Sequence, residues 1–462
     1  MNFSIPRVMI AGTGSGCGKT SVTCAVLGAL RKRGSDLSAF KCGPDYIDPM
    51  FHSRILGTES ANLDSFFFPD NTLKYLLAGR GRGKDLSVIE GVMGFYDGIG
   101  MESGKASSCE IARITETPVI LVIDAKGAAR SVLAALQGFL TFEADPPIRG
   151  VILNRCTEMT YRMLADAVRR HFGGKILPLG YMPVMPECSL ESRHLGLVTA
   201  QEVSDLREKA DRLAAQAEKS IDLEGILQLG REAGELLCEP VGFPKLTEKV
   251  RIAYASDKAF CFYYADNLSA LQEMGAELVP FSPLTDTSLP ENIHGIYLGG
   301  GYPELWRNEL SANTQMLLDV RNLLEKRIPC IAECGGFMYL TESIGNSKMV
   351  GFLPGKCCDN GKLTRFGYVR LKSDSESMLF AAGTEIPAHE FHYWDCTDPG
   401  SSLSAVKPSG RQWKCAVTGD HLYAGFPHFH FYAAPEAAIR FMQACILWKE
   451  AFHDRNDRPD GY

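Results

Sequence analysis

Several things are missing from this chain, and each absence narrows what it can be. No window of about 18 consecutive apolar residues occurs, so the sequence predicts no membrane-spanning helix. The start, Met-Asn-Phe-Ser-Ile-Pro-Arg, has no charged n-region, no long apolar stretch and no small-residue cleavage site, so it does not read as a signal peptide, and the chain is expected in the cytoplasm. An excess of basic charge is missing too. Lys and Arg total 48 against 55 Asp and Glu, a net charge of -7 that gives no general attraction to nucleic acid or anionic lipid. No Cys-x-x-Cys pair occurs among the 15 cysteines, so this odd, scattered set reads as reduced and mostly buried thiols. Internal repeats and low-complexity segments are absent as well.

What is present is an ordinary globular composition, 45% hydrophobic and 22% charged, with 45 glycines in 462 residues. That glycine share exceeds the usual value of about 7% and points to tight turns and close backbone approaches. At about 100 to 200 residues per domain the length calls for two to four domains. Short β-runs at Val8 to Ala11, Leu86 to Ile89, Val119 to Ile123 and Gly150 to Leu153 alternate with turn and helical stretches, including a helix from Lys19 to about Arg33. This alternation predicts a parallel sheet covered by helices. From Ala200 to Leu237 the chain is charged, Ala/Leu/Glu-rich and helical, without β-runs, and then reaches Cys-Glu-Pro-Val-Gly-Phe-Pro-Lys. Alternation restarts with Arg251 to Ala255, a helix near Asn267 to Met274, Leu278 to Phe281, Gly295 to Leu298, a helix over about Asn313 to Lys326, and Cys330 to Ala332. The economical division is an α/β domain over residues 1–237, a linker over 238–248, and a second α/β domain over 249–462.

After the first β-run comes Ala11-Gly12-Thr13-Gly14-Ser15-Gly16-Cys17-Gly18-Lys19-Thr20. In a strand-turn-helix context, the N–H groups around Gly14, Ser15, Gly16 and Gly18 can curl around phosphate oxygens. Lys19 supplies a cation to the β- and γ-phosphates, and the Thr20 hydroxyl can ligate Mg²⁺. Thr13 stands where the strict pattern has glycine, so the loop is a variant. The carboxylates for a metal or a proton transfer are sought at strand ends. Asp45 and Asp48 lie in a Pro-bounded loop, where they either face a polyphosphate or simply form Asx turns. Glu90 closes an apolar run and heads a glycine-rich loop ending near Asp97, and Asp124 is a weaker candidate of the same kind.

In the second half, Cys334 follows a β-run and is flanked by Glu333, Gly335 and Gly336. A nucleophile on a sharp strand-to-helix turn is exposed, and the helix N-terminus is expected to pull its pKa toward thiolate. Gly299, Gly300 and Gly301 close another strand, and their N–H groups can form an oxyanion hole. His428 and His430, at strand spacing and expected on one face, are the candidate bases; taken alone either reads as a satisfied core histidine, but Cys334 and the glycine loop in chain order favour the base.

With these segments in order, the chain resembles the cobyrinate a,c-diamide synthase family over essentially its full length. The carrying segments are Gly12 to Thr20, Lys41 to Pro49, Glu90 to Gly98, Ser192 to Leu197, Gly299 to Glu304, Glu333 to Leu340, Ala388 to Tyr393, and His428 to His430. The resemblance implies a P-loop domain similar to dethiobiotin synthetase followed by a class I glutamine amidotransferase domain. It implies ATP and L-glutamine as co-substrates, Mg²⁺ held by Thr20, Asp48 and Glu90, and a corrinoid acid as acceptor. Carried over, Cys334 is the glutaminase nucleophile and His428 its base, although Phe426-Pro427 departs from the family's Tyr-Leu and leaves His430 as the alternative. His430 occupies the place where conventional class I domains carry the third triad member, a glutamate. Asp45, Asp48 and Glu90 are expected to poise the acceptor carboxylate and the amine. Because free ammonia at neutral pH is mostly ammonium, a sheltered path between the two chemistries is expected. A homodimer is left open. Two rival readings are kept: the same chemistry on Ni-sirohydrochlorin, and a P-loop switch ATPase with a degenerate amidotransferase module.

Overall fold

The computed structural model describes residues 1–188 and 200–456. The segment Ser192 to Leu197 lies outside the described residues. Two compact units are present, Met1–Val241 and Gly242–Tyr462.

The first unit is built on seven parallel strands. Their order across the sheet is Glu59–Leu63, Leu37–Cys42, Leu86–Glu90, Arg7–Gly12, Val119–Asp124, Ile148–Asn154 and Leu177–Met182. Helices on both faces leave strands such as Val119–Asp124 almost wholly buried, which is why they read as continuous apolar runs rather than as alternating ones. Helix Lys19–Lys32 packs against helix Ala200–Ser220, and Gly28 lets them meet closely: a Cβ there would stand 3.0 Å from the Ala214 Cβ. Glycine mid-helix costs about 0.5–1 kcal/mol of propensity, here traded for interhelical contact. The charged stretch after residue 200 holds helices Ala200–Ser220 and Leu223–Arg231, and it ends in one short strand, Leu236–Leu237, paired with Asn2–Phe3.

The second unit holds a six-stranded sheet ordered Ala276–Phe281, Val250–Ala255, Gly295–Leu298, Cys330–Glu333, Leu422–Gly425 and Val417–Thr418, parallel except at its last pair. A second sheet of five antiparallel strands runs Gln412–Cys415, Leu403–Val406, Arg365–Ser373, Glu385–His392 and His428–Phe429. Sequence periodicity did not reveal this second sheet. Its strand Arg365–Ser373 carries five charged or hydroxyl side chains, and half-exposed antiparallel strands leave only a weak alternating signal. Among the described residues, no helix is long and apolar enough to cross a membrane.

Candidate active sites

In the first unit the loop after Arg7–Gly12 is held from below by the end of Ile148–Asn154. Asn154 Nδ2 donates to the Cys17 carbonyl at 2.9 Å, and Arg155 donates to the Gly16 carbonyl at 2.8 Å while pairing with Asp124. Gly18 has φ 97 and stands so close to Asn154 that a Cβ would overlap its side-chain amide, so only glycine fits. Lys19 folds back over the strand end, its Nζ donating to the Gly14 carbonyl at 3.1 Å. Burial lowers its pKa from the ordinary lysine value. These contacts hold Gly14, Ser15, Gly16, Gly18, Lys19 and Thr20 in one loop at the carboxyl edge of the sheet.

Beside that loop lies a buried polar cluster. Thr20 Oγ1 donates to Glu90 Oε1 at 2.6 Å. Lys41, paired in register with Glu90 on the neighbouring strand, puts Nζ 2.9 Å from the same Oε1 and 2.6 Å from Asp48 Oδ2. His52 Nε2 is 3.2 Å from Glu90 Oε2 but off the hydrogen-bonding direction, which leaves that oxygen with an unfilled acceptor. Burial alone would push Glu90 up; Lys41, His52 and Thr20 more than offset it and hold the carboxyl below the usual range. Asp48 goes the other way, raised to about 7 by burial and then by Glu90, with Lys41 opposing. One loop assignment needs correction: Asp48 lies in the first turn of helix Ile47–Arg54. Asp45 stays in the loop and spends its Oδ1 on the Ile47 N–H at 2.8 Å, the Asx-turn alternative, which starts that helix. Asp97 likewise closes its own loop, accepting from the Gly94 N–H at 2.7 Å.

This cluster suits a magnesium ion that arrives with a nucleotide. Magnesium takes one or two protein carboxylates and completes its octahedron with phosphate oxygens and water. Thr20 Oγ1 and the open acceptor of Glu90 offer such a partial set, with Asp48 nearby. Among the described residues no group of three or more His, Cys, Asp or Glu is arranged to hold a metal ion.

In the second unit Cys334 sits on a strained elbow between strand Cys330–Glu333 and helix Gly335–Leu340, with φ 50 and ψ -102. A non-glycine residue held there costs on the order of 1–3 kcal/mol, so the surroundings must hold it in place. They do: the Cys334 N–H donates to the Gly425 carbonyl at 2.7 Å and the Gly336 N–H to the Gly299 carbonyl at 3.0 Å. Gly335 and Gly336 admit the Gly299 to Gly301 loop against the elbow, since a Cβ on Gly335 would stand 3.1 Å from the Gly301 nitrogen and one on Gly336 would overlap the Leu298 carbonyl. The thiol does not behave as the helix N-terminus suggested. Burial, with help from Glu304, Glu333 and Glu390, pushes it above the usual cysteine range, and only the Gly335 N–H acts to lower it. The helix is a six-residue turn, too short to outweigh a dry site.

The two histidines separate. Strand His428–Phe429 ends before His430, so they do not share a strand face. His428 points its Nδ1 at Glu333 Oε2, 3.2 Å away, and its Cε1 edge at Gly300. His430 turns elsewhere, accepting from the Tyr432 N–H at 3.2 Å through Nδ1 and placing Nε2 3.9 Å from Asp266. Gly300 must be glycine for the imidazole to fit, because a Cβ would lie 2.7 Å from His428 Cε1 and 3.2 Å from Nε2.

Comparison with known proteins bears on both units. Residues 8–197 match the CobQ/CobB/MinD/ParA nucleotide binding domain family, and residues 251–435 match the CobB/CobQ-like glutamine amidotransferase domain family. A cobyrinate a,c-diamide synthase from Caldanaerobacter subterraneus subsp. tengcongensis is 39% identical over 446 residues, 95% of this chain and 98% of that one. The chain belongs to the cobyrinate a,c-diamide synthase family. Proteins of that name from Clostridium acetobutylicum (39% identical, covering 92% of this chain and 97% of the relative) and Listeria innocua (37%, covering 95% and 99%) align over the same span. As a member of the cobyrinate a,c-diamide synthase family it is a glutamine-dependent, amide-forming ligase with a nucleotide-binding P-loop unit. Sequence reasoning passed over Lys41 and His52, which the structure brings to the Glu90 cluster, and Asn154 and Arg155, which hold the glycine-rich loop. For Lys41 the signal was available: a lysine ending an apolar strand run two strands from a phosphate loop is costly to bury without carboxylate partners.

Proposed function

We propose that this ligase amidates the a- and c-acetate carboxylates of cobyrinate in turn, using ATP to activate each carboxylate and glutamine as the nitrogen source. A substrate carboxylate oxygen attacks the γ-phosphorus of ATP, giving an acyl phosphate and ADP. Ammonia then attacks the acyl carbon, and phosphate leaves. Phosphoryl transfer of this kind needs positioning and charge neutralisation more than covalent help from the protein. Gly14 to Thr20 cradle the phosphates, and Lys19 gives up its bond to the Gly14 carbonyl to meet the β- and γ-oxygens. Mg²⁺, held by Thr20, Glu90 and Asp48, would supply further neutralisation of the transferring phosphoryl group. Asp45 lies at the rim of this cluster and adds to its negative field at Lys41.

At the second site Cys334 attacks the glutamine side-chain amide, and ammonia leaves a γ-glutamyl thioester that water hydrolyses to glutamate. The Gly300 loop and the Gly335 N–H offer donors to the oxyanion. His428, rather than His430, takes the thiol proton, because its ring edge lies over Gly300 beside the elbow. The observation carrying this reading is the strained, buttressed elbow that presents Cys334, a nucleophile, beside the Gly300 loop and His428.

The test follows phosphate and glutamate release with candidate tetrapyrrole acids. Cys334→Ala should lose glutamine use while keeping amidation at high ammonia, whereas Lys19→Ala should lose amidation from either source. Glutamine-driven amidation surviving in Cys334→Ala would overturn the nucleophile. Turnover with Ni-sirohydrochlorin but not cobyrinate would replace the acceptor, and ATP hydrolysis with no amide formed would favour the switch ATPase.

A further inference from the structure

In conventional class I amidotransferase domains the carboxylate behind the histidine lies two residues after it, the place His430 fills here. His430 is buried against Tyr264, ring centroids 4.7 Å apart, and its Nε2 faces Asp266. It therefore has neither the charge nor the direction to hold His428. A carboxylate does reach His428, from another part of the chain. Glu333, the residue before the nucleophile, ends strand Cys330–Glu333, which runs beside Leu422–Gly425 with Glu333 opposite Gly425. Gly425 has no side chain, and the chain returns at His428 just beyond it. Glu333 Oε2 then lies 3.2 Å from His428 Nδ1, with Glu333 1% and His428 2% exposed.

We propose that Glu333 is the positioning carboxylate of the glutaminase site, so that the nucleophile and the group that orients its base are consecutive residues. This inference rests on the reading of Cys334 as the nucleophile. A carboxylate accepts, so the bond between them needs a proton on His428 Nδ1, and it is in that tautomer of the neutral ring that Nε2 offers a lone pair to the thiol proton. Cε1 and Nε2 are the ring atoms that lie over Gly300. When glutamine is attacked, the Cys334 proton moves to Nε2, the S–C bond forms, and the C–N bond breaks as the departing nitrogen takes that proton to leave as ammonia. Glu333 stabilises the imidazolium that exists between these events. The other groups facing the ring fit this assignment. His389, in register with His428 and stacked on it with centroids 5.2 Å apart, is held well below the usual histidine range by burial and then by His428, so it stays neutral. Tyr297 donates its hydroxyl to the same Glu333 Oε2 at 3.3 Å and helps to fix the carboxylate. Oε1 of Glu333 has no hydrogen-bond partner among the described residues, so both contacts fall on Oε2.

The experiment compares Glu333→Gln, Glu333→Asp and Tyr297→Phe in the full-length chain. Each is followed by glutamine-dependent kcat and KM, ammonia-dependent amidation, inactivation by a diazoketone analogue of glutamine, and thermal unfolding. In Glu333→Gln the glutamine-dependent kcat should fall about 10²- to 10⁴-fold, the range seen when an orienting carboxylate becomes an amide. KM for glutamine should stay within about threefold, since Glu333 touches His428 and not the substrate. Diazoketone inactivation should slow in parallel, while ammonia-dependent amidation is kept. Glu333→Asp should recover part of the rate, and Tyr297→Phe, which leaves the His428 contact in place, should fall by less than about tenfold. Unchanged kcat in a folded Glu333→Gln would sink the proposal, as would an equal loss in Tyr297→Phe. Retention of glutamine use by Cys334→Ala in the same series would instead overturn the nucleophile, so the two failures are told apart.

Discussion

Lys41 and Glu90 stand opposite each other on adjacent parallel strands, Nζ to Oε1 2.9 Å, with both side chains almost completely buried. Lys41 keeps its charge because the field of Glu90, Asp48 and Asp45 exceeds the burial that would remove it. The ammonium therefore balances two carboxylates that would otherwise repel each other beside the phosphate loop. Removing one partner of a buried pair costs about 3–5 kcal/mol, mostly as the penalty on the charge left behind. Lys41→Met should lose stability of that order in urea unfolding and should lose amidation with glutamine and with ammonia alike. A variant as stable as the parent would show that water, not Lys41, neutralises the cluster.

Asp48 gives that cluster a pH signature. Its folded-state pKa, raised to about 7 from an ordinary 3.8, means that the folded chain holds this proton more tightly than the unfolded chain does. The contribution is fully present below the unfolded value and is lost as pH rises through about 7. Asp48→Asn carries no such titration. Relative to the parent, its stability should rise from acid pH to neutrality and level off above, as measured by unfolding midpoints across the range. A pH-independent difference would mean that Asp48 ionises normally, with the Lys41 pair outweighing its burial.

Gly300 offers a test with no charge change. Its backbone lies outside the left-handed region, so alanine brings no left-handed strain, and its Cβ would stand 2.7 Å from His428 Cε1, with Phe262 Cβ at 3.3 Å. The imidazole must move. Displacing a catalytic group by a fraction of an ångström to one ångström costs up to about 10²-fold in rate. Gly300→Ala should lower glutamine-dependent kcat by about that factor while ammonia-dependent amidation continues. Full glutamine activity would show that the base can work from a second position.

Much of this was readable in local pattern. The P-loop depends on neighbours in sequence, because glycines, lysine and threonine must follow a strand and open a helix, and Gly12 to Thr20 do so in the structure. The Cys334 elbow is local in the same sense. The boundaries of buried strands such as Val119–Asp124 came within a residue or so, since burial on both faces enforces apolar runs. Where local reasoning failed, a long-range effect had decided. The helix N-terminus was expected to lower the Cys334 thiol, and desolvation by distant side chains raised it. Two histidines two residues apart were expected to share a face, and the end of strand His428–Phe429 sent them to different partners.

By itself the amino-acid order determined a P-loop at one end, a cysteine elbow at the other, and parallel α/β architecture in both halves, because each is written in residues that touch along the chain. Tertiary structure alone decided which charges meet. Lys41 reaches Glu90 across 49 residues and His428 reaches Glu333 across 95. Such pairings depend on strand order and register, which bring distant residues to one sheet edge, and burial there strengthens each contact by excluding water.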